Sequence, residues 1–304
     1  MPSTRLGGTA LRLLELLESF DLRVTGKDGE FGAAAMARTA GRVHGGSGME
    51  FRVLGSLGVS STAHEWCVPS APKQQQTLSL LLLQANRFVS VCSLSRELWG
   101  DAQPKTSGAT LQAYIAQIRR FIAKVAGEPV SRIRRDVLVT ESGGYSLKLG
   151  ISELDLRSFE KRVREGRAAL GDGDLETASV LLKKALELFK GSVLENIPHG
   201  SVVEVQVRRI EQLRLAVIEQ CYELDLTMGR HHEVLGALSE IVETNPFHEN
   251  FHALFMRALH QSGQRVEALR IYHALQSRLN DELGLDPSPQ VMALRQSILE
   301  PSTR

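Results

Sequence analysis

The chain has 304 residues, 42% hydrophobic and 23% charged, with a formal net charge of +1; that length allows two domains with separate cores. It contains no apolar run of about 18 residues that could span a bilayer, and its few, scattered cysteines, Cys67, Cys92 and Cys221, suit a reducing cytosol without a disulfide frame or a metal cluster. The near-zero total hides a split: residues 49–150 hold 12 Lys+Arg against 7 Asp+Glu, whereas residues 151–304 hold 18 against 23, so only the first part has the sign expected of a nucleic-acid contact.

Residues 1–48 contain the amphipathic run LRLLELLESF (Leu11–Phe20), which is broken by charges and lacks a cleavage site, so it is no secretory signal. A Gly/Ala/Arg-rich stretch follows, with no second apolar run to bury against, and weak order is expected. MEFRVLG then starts a strand, and translation is expected to begin at Met49. Phe51–Val59 and His64–Val68 read as short strands. Pro72 opens a helix with Leu78, Leu81, Leu82 and Ala85 on its core face. Ser90 or Ser93 can cap the next helix, which ends at Leu98-Trp99-Gly100 with Trp99 in the core. After a polar loop, Thr106 or Ser107 should cap a long helix.

That helix carries Leu111, Ile115, Ile118, Ile122 and Val125 at alternating spacings of four and three, one apolar stripe about 80° wide at helical pitch. The opposite face, with Thr106, Thr110, Ala113, Gln117, Arg120 and Lys124, has no carboxylate, unlike an ordinary surface helix that mixes both signs. Such a face suits phosphates and base edges, although a solvated basic helix would look the same. Arg120 lies opposite the stripe and, with Gln117, should point into a groove. Thr110 and Tyr114 are candidates for base or deoxyribose contact. Arg119, on the flank, is expected to meet phosphate, as are Lys73, Arg87, Lys105 and one of Arg132, Arg134 and Arg135, with Arg134 the choice.

Val137–Thr140 and Tyr145–Leu149 read as strands joined at Ser142-Gly143-Gly144. Strands, three helices and a terminal hairpin make a winged helix-turn-helix over residues 49–150. Beyond Gly150 the pattern is helical: Asp155–Leu170, Leu175–Lys190, Ser201–Met228, Glu233–Thr244, Glu249–Ser262, Arg265–Leu283 and Pro289–Leu299. Gly229 and Gly263, 34 residues apart, each close one helix before another, the spacing of tetratricopeptide-type pairs. The fold class is therefore mainly α: an α+β winged helix followed by an all-α helical-repeat domain over 151–300. Residues 49–150 should contact DNA by themselves, and the repeat domain should offer a protein-binding face.

His248-Glu249-Asn250-Phe251-His252 spells HExxH, which on one helix could hold zinc. No third histidine follows at the required places, where Phe255 and Ala258 stand; Glu267 is a third ligand by spacing only. Phe251, Leu254 and Phe255 instead fit the core of a repeat helix. No zinc, cofactor or catalytic centre is expected.

PKQQQTLSLLLLQANRFVSV, ELWG, ATLQAYIAQIRR, GGYSLKL, LDLRSFEKRVREGRAAL, GRHHEVLGALSEIVETNP and the run from FMRALHQSG to GLDPSPQV resemble, in this order, the antibiotic regulatory proteins of streptomycetes (SARPs). The likeness covers Met49 to about Glu300. It implies an OmpR-like winged helix, a bacterial transcriptional activator domain, and a cytoplasmic, nucleoid-associated activator of a secondary-metabolite cluster. Its partners would be direct repeats in promoter DNA near −35, bound as a dimer, and RNA polymerase holoenzyme with its sigma factor, with no membrane. Cys92 stands where the family usually has Asp, so the second helix must be capped by a nearby Ser. The sequence before the winged helix does not read as a phosphate-receiving domain, so OmpR-type phosphorylation control is not expected. The alternatives are a helical-repeat scaffold and a repressor acting by occlusion.

Overall fold

The computed structural model describes residues 48–61 and 65–300; the expectations for residues 1–47 lie outside them. The described residues divide into two compact units, one within residues 48–162 and 187–213, the other within residues 163–186 and 214–300.

The first unit opens with β1 (Glu50–Arg52) and β2 (Gly58–Ser60), antiparallel with Phe51 opposite Val59. The strand expected over 51–59 is thus interrupted, and the reason lies far along the chain. Val53 and Leu54 give their N–H groups to the Asp155 carboxylate at 2.8–3.0 Å. Their carbonyls accept from Leu194 N (3.0 Å) and Lys190 N (2.8 Å), and Leu57 N donates to Asn196 Oδ1 at 3.1 Å. With those groups already satisfied, 53–57 has no need of a ladder. Of the strand expected over 64–68, the described residues 65–68 form a single bridge, Cys67 to Val59. β6 (Glu153–Leu154) completes this sheet, parallel to β1.

α1 (Pro72–Leu83) starts on its proline, which needs no N–H there and already has helical φ. After β3 (Phe88–Ser90), Ser90 caps α2 (Val91–Trp99) by accepting from Ser93 N at 3.0 Å, so Ser90 supplies the cap that Cys92 cannot. Trp99 is half-buried. α3 (Ser107–Ala126) ends at Gly127, whose φ of 65° is the left-handed conformation favoured for glycine at a helix end. A turn of helix, α4 (Val130–Arg132), and a π-helical turn (Ile133–Val137) lead to the hairpin of β4 (Leu138–Glu141) and β5 (Gly144–Leu147). β5 pairs with β3 on its other side, giving the three helices and terminal hairpin of a winged helix. Asp155 begins α5 (Asp155–Gly171), and after α6 (Leu175–Leu186) residues 187–199 run irregularly into α7 (Ser201–Thr227). α6 stops short of the expected Lys190 because 190 and 194 give their N–H groups to Leu54 and Val53. Phe159 and Phe189 meet edge-on in this core at 5.0 Å.

The second unit contains α8 (Leu235–Thr244), α9 (Glu249–Gln261), α10 (Arg265–Leu283) and α11 (Pro289–Leu299). Phe251, Leu254, Phe255, Met256 and Leu259 from α9 are buried among Leu238, Tyr272 and Leu275. Gly173, Gly229 and Gly263 all have φ near 80°, and the residue after each donates to a carbonyl five positions back: Asp174 to Ala169, Arg230 to Asp225, Gln264 to Leu259. The 34-residue spacing is therefore two copies of one glycine-closed helix end. No helix among the described residues is long and apolar enough to cross a membrane.

These bonds bear on the autonomy expected of residues 49–150. A fragment of 49–150 leaves Val53, Leu54 and Leu57 without their backbone partners, and buried unpaired groups cost about 1–3 kcal/mol each. It should show no cooperative thermal transition by circular dichroism, whereas 49–300 should show one; a sharp native-like transition for 49–150 would contradict this.

Candidate nucleic-acid interface

Helix α3 packs by its stripe. Leu111, Ile115, Ile118 and Ile122 are at most 1% exposed, which turns the sector around Ala109, Gln112, Ala113, Ala116, Arg120 and Lys124 outward, all exposed. There is no carboxylate between Ser107 and Gly127. Three alanines let a neighbouring backbone or groove wall approach closely, while Gln112 and Arg120 supply amide and guanidinium donors. Thr106 is the N-cap residue, but neither it nor Ser107 caps through its side chain. Instead Thr110 Oγ1 donates back to Thr106 O at 3.0 Å.

Arg119 is the principal correction. Expected on the flank and free for phosphate, it is 8% exposed. Its Nε and Nη2 donate to Leu138 O at 2.9 and 2.7 Å, and Nη2 also reaches Thr140 Oγ1 at 2.8 Å. Burial and then the charge of Arg134 lower its pKa from the ordinary arginine value, against a smaller opposing pull from Tyr145. Arg119 therefore fastens α3 to strand β4 of the hairpin. On the other side of α3, the Gln117 side-chain oxygen accepts from Gln74 of α1, leaving Gln117 half-exposed. With β4 covering one flank and α1 the other, the open sector is centred nearer Ala116 than the stripe alone indicates. Gln112 and Ala116 were overlooked for that reason; a helical wheel shows them off the antipode of the stripe, and only the packing exposes them.

The remaining candidates separate into groups. Lys105 and Arg120 are exposed, and Thr110 and Tyr114 half-exposed, along α3 and the turn before it. Lys73 is occupied: its Nζ donates to Leu98 O at 2.5 Å and Gln76 Oε1 at 3.1 Å, tying α1 to the end of α2. Arg132 and Arg135 are held by Glu128 (2.6 Å) and Asp136 (2.9 Å), while Arg134 pairs with no carboxylate among the described residues. Arg134 lines an open depression with Val130, Ser131, Val139 and Thr140, beside the hairpin. Arg87 is not brought to this face. It precedes Phe88, which pairs with Ser146, whereas the hairpin turn lies next to the Ser90–Gly144 end of the same ladder. Arg87 instead lines a cleft with Arg157 and Arg209.

The HExxH segment is folded differently from a zinc site. His248 stands before α9 as its N-cap residue, stacks on Phe251 at 4.2 Å, and places Nε2 3.2 Å from Glu219 Oε1. His252 Nδ1 lies 3.2 Å from His248 O, and Glu249 accepts from Ser288 N at 2.6 Å. Among the described residues no group of three or more His, Cys, Asp and Glu is arranged to hold a metal. Burial pushes the Glu219 carboxyl up to about 7 and Glu223 adds to the rise, against the hydrogen bond from Asn250. Burial lowers His248.

An exposed, carboxylate-free second helix of a helix-turn-helix, followed by a hairpin wing, is the arrangement of the winged-helix DNA-binding class. Residues 66–147 match the family model described as "Transcriptional regulatory protein, C terminal", and residues 154–299 match "Bacterial transcriptional activator domain". The chain is 39% identical over 251 residues to regulatory protein DnrI of Streptomyces peucetius, across 83% of this chain and 92% of that protein. It is 32% identical to regulatory protein AfsR of Streptomyces griseus across 83% of this chain but 24% of AfsR, so it spans about a quarter of that relative. The solved structure of Mycobacterium tuberculosis EmbR in complex with a low-affinity phosphopeptide superposes with a TM-score of 0.76 at 27% identity, covering 83% of this chain and 65% of that one. The chain belongs to the SARP family of transcriptional regulators.

Two outcomes follow from the geometry. Arg119→Ala removes a buried guanidinium that satisfies a strand carbonyl, and should lower the unfolding free energy by about 2–3 kcal/mol in denaturant titration. Because Glu219 titrates higher folded than its ordinary 4.5, it favours folding below that value, and this contribution is lost as pH rises to about 7. Glu219→Gln mimics the protonated form and should flatten this part of the stability–pH curve, stabilising the protein above pH 7 by up to about 3 kcal/mol.

Proposed function

We propose that this regulator activates a secondary-metabolite gene cluster, with two protomers seated on direct repeats near the promoter −35 region and engaging RNA polymerase holoenzyme through contacts that include its sigma factor. The observation that carries the DNA-binding part is the open sector of α3, where Gln112, Arg120 and Lys124 stand among small residues with no acid beside them. Gln112 and Arg120 read base edges. Lys105, Lys124 and Arg134 meet phosphates, with Thr110, Tyr114 and Gln117 at the sides. Two protomers on repeats one helical turn apart present this sector to the same face of the duplex. DnrI and AfsR are regulatory proteins by name, and the negative balance of residues 151–304 suits a protein contact better than phosphate neutralisation.

Footprinting on promoters of the neighbouring gene cluster tests the DNA contact, and transcription in vitro with purified polymerase separates activation from occlusion. Arg120→Ala and Gln112→Ala should each cost about 1–3 kcal/mol on the specific site and relax preference at one base position, whereas Lys124→Ala should weaken all sequences alike and lower the salt slope by about one. Arg119→Ala, corrected for the folded fraction, should leave the slope unchanged. Arg120→Ala and Gln112→Ala proteins that keep full operator preference would rule out this pose of the helix.

A further inference from the structure

A buried carboxylate sits at the end of α2, outside the face just described. Glu97 is 2% exposed and pairs with no cation among the described residues. Its Oε1 accepts from Gly200 N at 2.6 Å, and its Oε2 accepts from Val202 N at 3.0 Å and Val203 N at 2.8 Å. Gln76 Nε2 adds a fourth donor at 3.1 Å. The three amides belong to the start of α7, where N–H groups have no partner within the helix and a negative charge is favoured by the helix dipole. Gly200 permits the approach, because a Cβ there would fall 2.1 Å from Glu97 O.

The same end of α2 is gripped from the other side. Gln76 Nε2 also donates to Glu97 O at 3.1 Å, and Lys73 Nζ donates to Leu98 O. From Gly100 the loop of residues 101–106 leads into α3, so the clamp holds the end of α2 from which that helix is reached. One jaw of that clamp, residues 200–203, lies outside the 66–147 winged-helix match and inside the 154–299 activator-domain match.

We propose that Glu97 is a positioning residue for DNA recognition, a latch through which the first turn of α7 sets the pose of the helix-turn-helix. The inference rests on the DNA-binding reading above. It makes activator-domain sequence part of the reading head without touching DNA.

The test uses the full chain as Glu97→Ala and Glu97→Gln. Three quantities are measured: amide hydrogen exchange at Gly200, Val202 and Val203, the active fraction by stoichiometric titration, and affinity for the footprinted operator and an unrelated duplex over a salt series. Glu97→Ala should speed exchange at those amides and, per active molecule, lower the operator preference by about tenfold while changing unrelated binding by less than about twofold. Glu97→Gln, which keeps one acceptor oxygen but turns an NH2 toward the remaining donors, should fall between. Simple destabilisation would lower the active fraction and leave the preference intact. If the preference of both variants stays within about twofold of the unchanged protein, the latch has no positioning role; if the alanine variant does not fold, the glutamine variant decides by the same ratio. Should the unchanged protein show no operator preference, the DNA-recognition reading itself fails and takes this role with it, a result visible before any variant is compared.

Discussion

Buried backbone N–H groups must find acceptors, and in this protein Asp155 and Glu97 are among the carboxylates that meet that requirement where secondary structure does not. Asp155 takes the amides of Val53 and Leu54, where the first strand breaks off, and also that of Leu156. Glu97 takes the amides of Gly200, Val202 and Val203, where the longest helix begins. Each joins segments about a hundred residues apart in sequence. The winged helix is consequently one body with residues 153–162 and 187–213, and a boundary drawn by family likeness alone cuts through its hydrogen bonds.

The same economy shapes the recognition helix. Arg119 reads from sequence as a cation among cations, yet its guanidinium serves a strand carbonyl and a threonine hydroxyl. A guanidinium offers five donors in a fixed planar fork, a geometry that a lysine ammonium does not reproduce, so it suits the bridge from helix to hairpin. Its burial leaves Arg120 and Lys124 as the cations of the open sector and assigns the arginine pair two different tasks. Lys73 is similarly withdrawn from solvent work to hold the end of α2.

The HExxH segment shows how a short motif loses its chemistry in context. Its first histidine stands before the helix, its glutamate caps Ser288, and its second histidine is 4% exposed. The phenylalanine between them, Phe251, is fully buried, which is what a repeat helix requires of that position. Apolar periodicity outweighed the motif because core burial constrains a helix along its whole length, whereas five letters constrain only one turn.

Much was legible without coordinates. Helix α3 follows from the Leu111–Ile122 stripe, the hairpin from Ser142-Gly143, α1 and α11 from Pro72 and Pro289, and the repeat pair from Gly229 and Gly263, because each of these signals acts within a few residues of itself. What the sequence left open depends on neighbours remote in the chain. Whether Ser90 or Ser93 capped α2, where strand 51–59 broke, that Arg119 on the flank was buried against the hairpin, and that Gln112 and Ala116 lined the open sector were all decided by tertiary packing. A helical wheel locates the apolar face of one helix by its own periodicity; how much of the polar face stays open depends on β4 and α1, which press on it from outside and leave no mark in its periodicity.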